Sequence, residues 1–283
     1  MSFDQDEGPI EGPLILQRPR GLEAPLLIEI PHAGLELPSE LAASRALGRS
    51  ARMADADLYV DELYEGATEL GATVLIARYS RHVVDLNRAE DDVDPSIVPE
   101  HPSPRGRLAR GVIWKTSIDG LRLLDRPLRF EEYRERIARF HRPYHRQLRA
   151  ELDRLRERFG FVILLAAHSM PSHGRSVSGA ALVRRADIVP GTRGRTSADS
   201  RIIDHIDAFF RAAGYSIRHD DPYRGGYSTA HYGRPAEGFH AVQIELNRGL
   251  YVDERSFERL DPGFERLRGD LRALIDSLVG LRL

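Results

Sequence analysis

Short apolar runs alternate along this chain with longer stretches in which apolar residues recur every three or four positions. Ala24–Ile30, Ala72–Ala77, Phe161–Ala167 and Ala241–Leu246 are nearly unbroken in apolar character. Such runs predict strands covered on both faces, the kind a largely parallel sheet requires. Helical spacing links Leu58, Val60, Leu63, Ala67 and Leu70 between Asp55 and Gly71, where Gly71 serves as the stop. It links Tyr133, Ile137, Phe140, Leu148, Leu152 and Leu155 between Phe130 and Phe159, with a break expected near Pro143. Two further stripes lie at Ala198–Gly214, through Ile202, Ile206 and Phe210, and at Pro262–Val279, through Phe264, Leu271 and Leu278. Strands interleaved with helices, and no linker dividing them, predict a single α/β domain with a central mixed β-sheet flanked by helices. Residues 1–22, rich in Gly and Pro, read as an irregular N-terminal arm with room for a short strand at Leu14–Leu16, and residues 23–283 as the domain itself. Two long polar stretches interrupt the pattern: Asp91 to about Pro127, expected to frame a site entrance, and Pro171–Ser197, with a possible strand at Gly179–Val183.

Composition narrows the chemistry. A formal net charge of −2 over 283 residues gives no global field for nucleic acid or an anionic membrane. Lys115 is the only lysine, so the arginines mostly reflect usage, and only individually placed ones carry meaning. The absence of cysteine removes disulfides, thiolate ligands and thiol nucleophiles, leaving His and carboxylate for any metal. No apolar run reaches the ~20 residues that span a bilayer, and the acidic start Met1-Ser-Phe-Asp lacks the regions of a signal peptide, so a cytoplasmic enzyme is expected.

The candidate chemistry lies at strand ends, where open α/β sheets collect their sites. His32 follows the first strand, His168 closes the third, and Glu245 interrupts the largely apolar fourth. Asn87 and Arg88 stand together on the turn after the second, an amide beside a guanidinium fork that suits a carboxylate. Two histidines and a carboxylate are the donors of a catalytic zinc site. These features predict a zinc hydrolase that grips an acidic small molecule. No Gly-x-Ser-x-Gly elbow is present for a serine hydrolase.

The segments Ile30-Pro-His-Ala-Gly34, Asp55-Ala-Asp57, Tyr79-Ser-Arg81 with Asp85-Leu-Asn-Arg88, Arg142-Pro-Tyr-His145, Ala167-His-Ser169, Gly225-Gly-Tyr227 and Gln243-Ile-Glu-Leu246 resemble, in order, the N-formylglutamate amidohydrolase family. The resemblance implies a fold like that of the zinc carboxypeptidases (phosphorylase/hydrolase-like) and one Zn2+ per chain. It implies ligands at His32, His168 and a third residue, for which Asp57 is preferred while Glu36 and Asp55 stay open. It further implies Glu245 as the general base that takes a proton from the attacking water and passes it to the departing amine. Arg88 with Asn87 would hold a substrate carboxylate, Arg81 would be a second cation, Tyr227 a further contact, and Asp85 a strut. The activity implied is cleavage of the amide of N-formyl-L-glutamate or a related N-acyl amino acid. The alternatives are a carboxypeptidase-like or other amidase acting on a different acidic substrate, and a non-catalytic binding protein on the same fold. Oligomeric state is not legible here.

Overall fold

The computed structural model describes residues 12–41, 47–106, 110–175 and 181–283. In chain order the strands are β1 (Leu14–Gln17), β2 (Leu26–Ile30), β3 (Thr73–Ala77), β4 (Val162–Met170), β5 (His173–Arg175), β6 (Leu182–Arg184), β7 (Ile188–Gly191) and β8 (Phe239–Asn247). The helices are α1 (Arg49–Asp55), α2 (Val60–Leu63), α3 (Phe130–Arg136), α4 (Arg142–Phe159), α5 (Ser200–Ala212), α6 (Tyr227–Tyr232) and α7 (Asp261–Val279).

One six-stranded sheet runs β1-β3-β2-β4-β8-β7. Its four inner strands are parallel, and the edge strands β1 and β7 are antiparallel to their neighbours, so the sheet is mixed. Alternate residues of β2 feed two cores: Leu26, Ile28 and Ile30 pack with α5 and α7, while Leu27 packs on the other face with α4. Both faces being covered explains why these strands read as continuous apolar runs rather than as alternation. β1 lies inside the expected N-terminal arm and is secured to β3 by the pairs Leu14↔Ala77 to Gln17↔Val74.

One local expectation changes, and two others take a definite form. The stripe from Asp55 to Gly71 is not one helix: α1 ends at Asp55, α2 is a single turn, and a 3-10 turn covers Ala67–Leu70. Tyr59 (φ 60°) and Gly66 (φ 81°) sit in the left-handed region, which a continuing α-helix cannot contain. Leu58, Val60, Leu63 and Ala67 are nonetheless buried, so the apolar spacing is met by a broken path. In the long helix, the break near Pro143 is a π-helical turn at Ile137–His141, consistent with the donor that Pro143 lacks. Among the described residues of the stretch 91–127, Val93, Ile97, Val98, Val112, Ile113 and Trp114 are buried, so much of it is packed against the domain. Of the possible strand at Gly179–Val183, residues 179 and 180 lie outside the described residues, and the strand there, β6, runs Leu182–Arg184 in a hairpin with β5.

Candidate metal centre and active site

The parallel register of β4 and β8 pairs His168 with Glu245, so the third strand's histidine and the fourth strand's carboxylate are lateral neighbours. His32 leaves the end of β2, and the backbone carbonyl of His32 accepts a hydrogen bond from the Asp57 N–H at 3.0 Å. That bond carries the chain between α1 and α2 back to the strand end and delivers the Asp57 side chain there. All four residues are buried.

His32, Asp57 and His168 form a group in which each offers one ligand atom to a common point. His32 Nδ1 lies 3.2 Å from His168 Nδ1, His168 Nδ1 lies 3.0 Å from Asp57 Oδ2, and His32 Nδ1 lies 3.5 Å from the same oxygen. Ligand bonds of about 2.0–2.1 Å in a tetrahedron place neighbouring donors about 3.3 Å apart, so these separations suit one small cation held from three corners. A cation held so would keep a fourth position for water or substrate. Asp57 is the oxygen donor of this group, whereas Glu36 stands away from it in an exposed ion pair with Arg78 at 3.2 Å. Asp55 also faces elsewhere, 2.8 Å from His82 Nε2 and accepting from the Ile118 N–H at 3.1 Å.

Further side chains fix these three candidate donors. His32 Nε2 lies 2.8 Å from Asp85 Oδ1; the carboxylate must accept, which leaves the Nδ1 lone pair free to face the group. Asp85 also receives Arg81 at 2.8 Å, Trp114 Nε1 at 3.0 Å and the Asn87 N–H at 2.9 Å. Burial pushes the Asp85 carboxyl up, but Arg81 and His32 outweigh it and hold the group well below the ordinary range. Asp57 behaves alike: burial opposes ionisation, and the bonds from His168 and His32 override it.

Glu245 is the exception. Burial pushes its carboxyl up to about 7, with His168, Arg81 and Arg248 pulling down and Asp57 pushing up. A carboxyl poised near neutrality beside His168 is suited to gain and lose a proton. Gln243 steadies it by donating to Glu245 Oε1 at 2.8 Å. The Gln243 carbonyl oxygen in turn accepts from the Gly226 N–H at 2.8 Å and from Asn87 Nδ2 at 3.2 Å.

The residues expected to touch substrate divide. Arg88 is partly exposed, bonded to the carbonyls of Asn87 and Arg110 and 3.8 Å from Asp92. Tyr227 is half-buried, its ring edge-on to His145 at 5.1 Å and stacked on His231 at 4.9 Å. Arg81 is committed to Asp85 and lies 4.5 Å over the Trp114 ring. The Asn87 amide is buried between Gln243, His168 Nε2 at 3.3 Å and the Ser228 N–H at 3.2 Å. A Cβ at Gly226 would come within 2.3 Å of that amide, so the glycine there makes the approach possible.

Several contributors were not assigned a role from sequence. Gln243 lies two residues before Glu245 and therefore on the same face of the strand; a polar residue in so apolar a run was the available signal. Arg248, buried, donates to Ser169 Oγ at 3.1 Å and lies 3.6 Å from Asp57 Oδ1, with no periodicity to announce it. His145 Nε2 donates to the Leu86 carbonyl at 2.9 Å and His141 Nε2 to the Arg88 carbonyl at 2.8 Å, so α4 and the turn before it grip the backbone on both sides of Asn87.

The family model for N-formylglutamate amidohydrolase matches residues 24–252. An N-formylglutamate deformylase of Pseudomonas putida is 37% identical over 233 residues, covering 81% of this chain and 82% of the relative. One from Pseudomonas aeruginosa is 36% identical over 270 residues, covering 94% and 96%. Among solved structures, the N-formylglutamate amidohydrolase of Ralstonia eutropha JMP134 superposes with a TM-score of 0.86 at 33% identity, over 95% of this chain and 97% of that one. A gene product of Agrobacterium tumefaciens shares the fold at a TM-score of 0.63 and 21% identity.

Proposed function

This chain belongs to the N-formylglutamate amidohydrolase family, and we propose that it hydrolyses the formamide of N-formyl-L-glutamate to formate and L-glutamate using a zinc ion held by His32, Asp57 and His168. The observation that carries this reading is the convergence of two imidazole nitrogens and one carboxylate oxygen, with Glu245 on the adjacent strand position beside His168. Two nitrogens, one oxygen and no thiolate are a donor set for zinc in a hydrolase. When bound, the ion supplies Lewis acidity to the formyl carbonyl and makes a water molecule acidic enough to attack near pH 7.

The protein's own groups do the rest. Glu245, ionised, takes one proton of the water as its oxygen bonds to the formyl carbon. As the C–N bond breaks, the same carboxyl returns that proton to the departing nitrogen, and the free amine leaves as L-glutamate. Its environment supports both halves, since burial raises its affinity for the proton while His168, Arg81 and Arg248 limit the rise. Gln243 keeps one oxygen fixed, leaving the other for the water. Arg88 holds a substrate carboxylate, with Tyr227 beside it. Asn87 and Arg81 act one step back, through His168, Gln243 and Asp85.

The test is formate release from N-formyl-L-glutamate against N-acetylglutamate, other N-formyl amino acids and peptides with an acidic C-terminal residue, with metal content measured by mass spectrometry. Turnover fastest on N-formyl-L-glutamate with one zinc per chain is the expected result. Faster release from a peptide would replace this reading with the carboxypeptidase-like one.

A further inference from the structure

L-Glutamate carries two carboxylates, and the site described above commits only Arg88 to holding one. Of the other guanidiniums near the reacting end, Arg81 is given to Asp85 and Arg248 lies against Asp57. Arg185 differs. Its backbone is tied to both strands that carry the chemistry: its N–H donates to the Ser172 carbonyl, just past β4, and its own carbonyl accepts from the side chain of Asn247, the last residue of β8. The guanidinium sits in a slot. On one side a Cβ at Gly174 would come within 2.5 Å of it, and on the other it lies 5.3 Å from the centre of the Tyr223 ring. One nitrogen donates to the Pro171 carbonyl at 3.2 Å, and no carboxylate stands within ion-pair distance among the described residues.

Tyr223 links this slot to the catalytic groups. Its phenol is pushed up by burial and by the nearby charges of Glu245 and Asp57, and Arg185 opposes that rise. Tyr223 is thus near both the Arg185 cation and the carboxylates of Glu245 and Asp57. A partly buried guanidinium without an anion loses hydration and gains no ion pair in return, which a bound carboxylate would supply through the planar fork.

We propose that Arg185, backed by Tyr223 and admitted by Gly174, is the specificity-determining contact for the substrate carboxylate that Arg88 does not hold. The site is then one for acyl amino acids with two carboxylates. This inference rests on the proposed hydrolysis of N-formylglutamate for its substrate, but not for its binding chemistry.

The experiment compares wild type, Arg185→Ala and Arg185→Lys on N-formyl-L-glutamate and two singly charged analogues: N-formyl-L-glutamine, which lacks the side-chain carboxylate, and 4-formamidobutyrate, which lacks the other. In Arg185→Ala, the preference for N-formyl-L-glutamate over one of the two analogues should fall about ten- to a hundredfold, the effect of losing one charged hydrogen-bond partner, with Arg185→Lys intermediate. Calorimetric binding of glutarate should weaken by a similar factor. Equal losses on all three substrates, or unchanged preference and unchanged glutarate affinity, overturn the proposal. If the wild type hydrolyses none of the three yet binds glutarate through Arg185, the carboxylate site stands and the proposed activity falls; if the wild type neither turns over nor binds glutarate, the carboxylate site falls as well.

Discussion

The two halves of the site are built on opposite terms. At the metal end, every described side chain already has its partners: His32 is braced by Asp85, Asp57 lies against both histidines, and Glu245 is held by Gln243. At the rim, Arg88 is bonded mainly to backbone carbonyls, and Arg185 to one carbonyl and an aromatic face. The first half rises from strand ends of a sheet covered on both faces, and the second from turns that follow them. Chemistry that depends on sub-ångström alignment is placed on the rigid part, and cations that need an incoming anion on the part with capacity left over.

If that division holds, substitutions at the metal end change turnover and those at the rim change affinity. The largest expected effect is His168→Ala, which should remove both metal and activity, read by metal analysis and formate release. Full metal content and normal turnover in that variant would break the assignment of the group. Next, Glu245→Gln should keep its metal and substrate affinity while kcat falls about 10²- to 10⁴-fold, the usual contribution of a general base; near-normal kcat would make the carboxylate structural. Asp85→Asn leaves all three donors in place but loosens His32, so zinc affinity should fall roughly 10- to 100-fold in competition with a chelator. Arg88→Ala should raise KM about ten- to a hundredfold with kcat nearly retained, and a fall in kcat alone would erase the distinction between the halves.

The smallest effect concerns stability. Glu29, buried on β2, has its carboxyl pushed up to about 7 by burial, with Ser228, His168 and the Tyr144 hydroxyl, which donates to it at 3.3 Å, limiting the rise. A folded-state value above the unfolded one means the native protein holds the proton more tightly. That contribution is complete below the unfolded value and is lost as pH rises through about 7. Urea unfolding should therefore show wild type losing up to about 3 kcal/mol relative to Glu29→Gln between pH 4.5 and pH 8. Parallel profiles for the two proteins would show that Glu29 ionises normally.

Local sequence determined much of this protein. Apolar runs set the inner strands because both sheet faces are covered, and helical stripes set α5 and α7 because each buries one face. The two histidines and Glu245 were legible because polar groups at the ends of apolar strands have few structural uses. The resemblance carried in seven ordered segments supplied Asp57 and the fold. What local pattern could not supply is convergence. His32 and His168 are 136 positions apart, and whether their nitrogens meet depends on strand order and register. That Asp57 and not Glu36 joins them was settled by the left-handed Tyr59 and the Asp57–His32 backbone bond, which break the expected helix and turn the carboxylate inward. Tertiary contacts also decided which arginines are spoken for. Arg81 and Arg185 look alike in sequence, and only the folded chain puts a carboxylate against one and leaves the other facing an aromatic ring, because charge pairing is fixed by neighbours distant in sequence and not by local spacing.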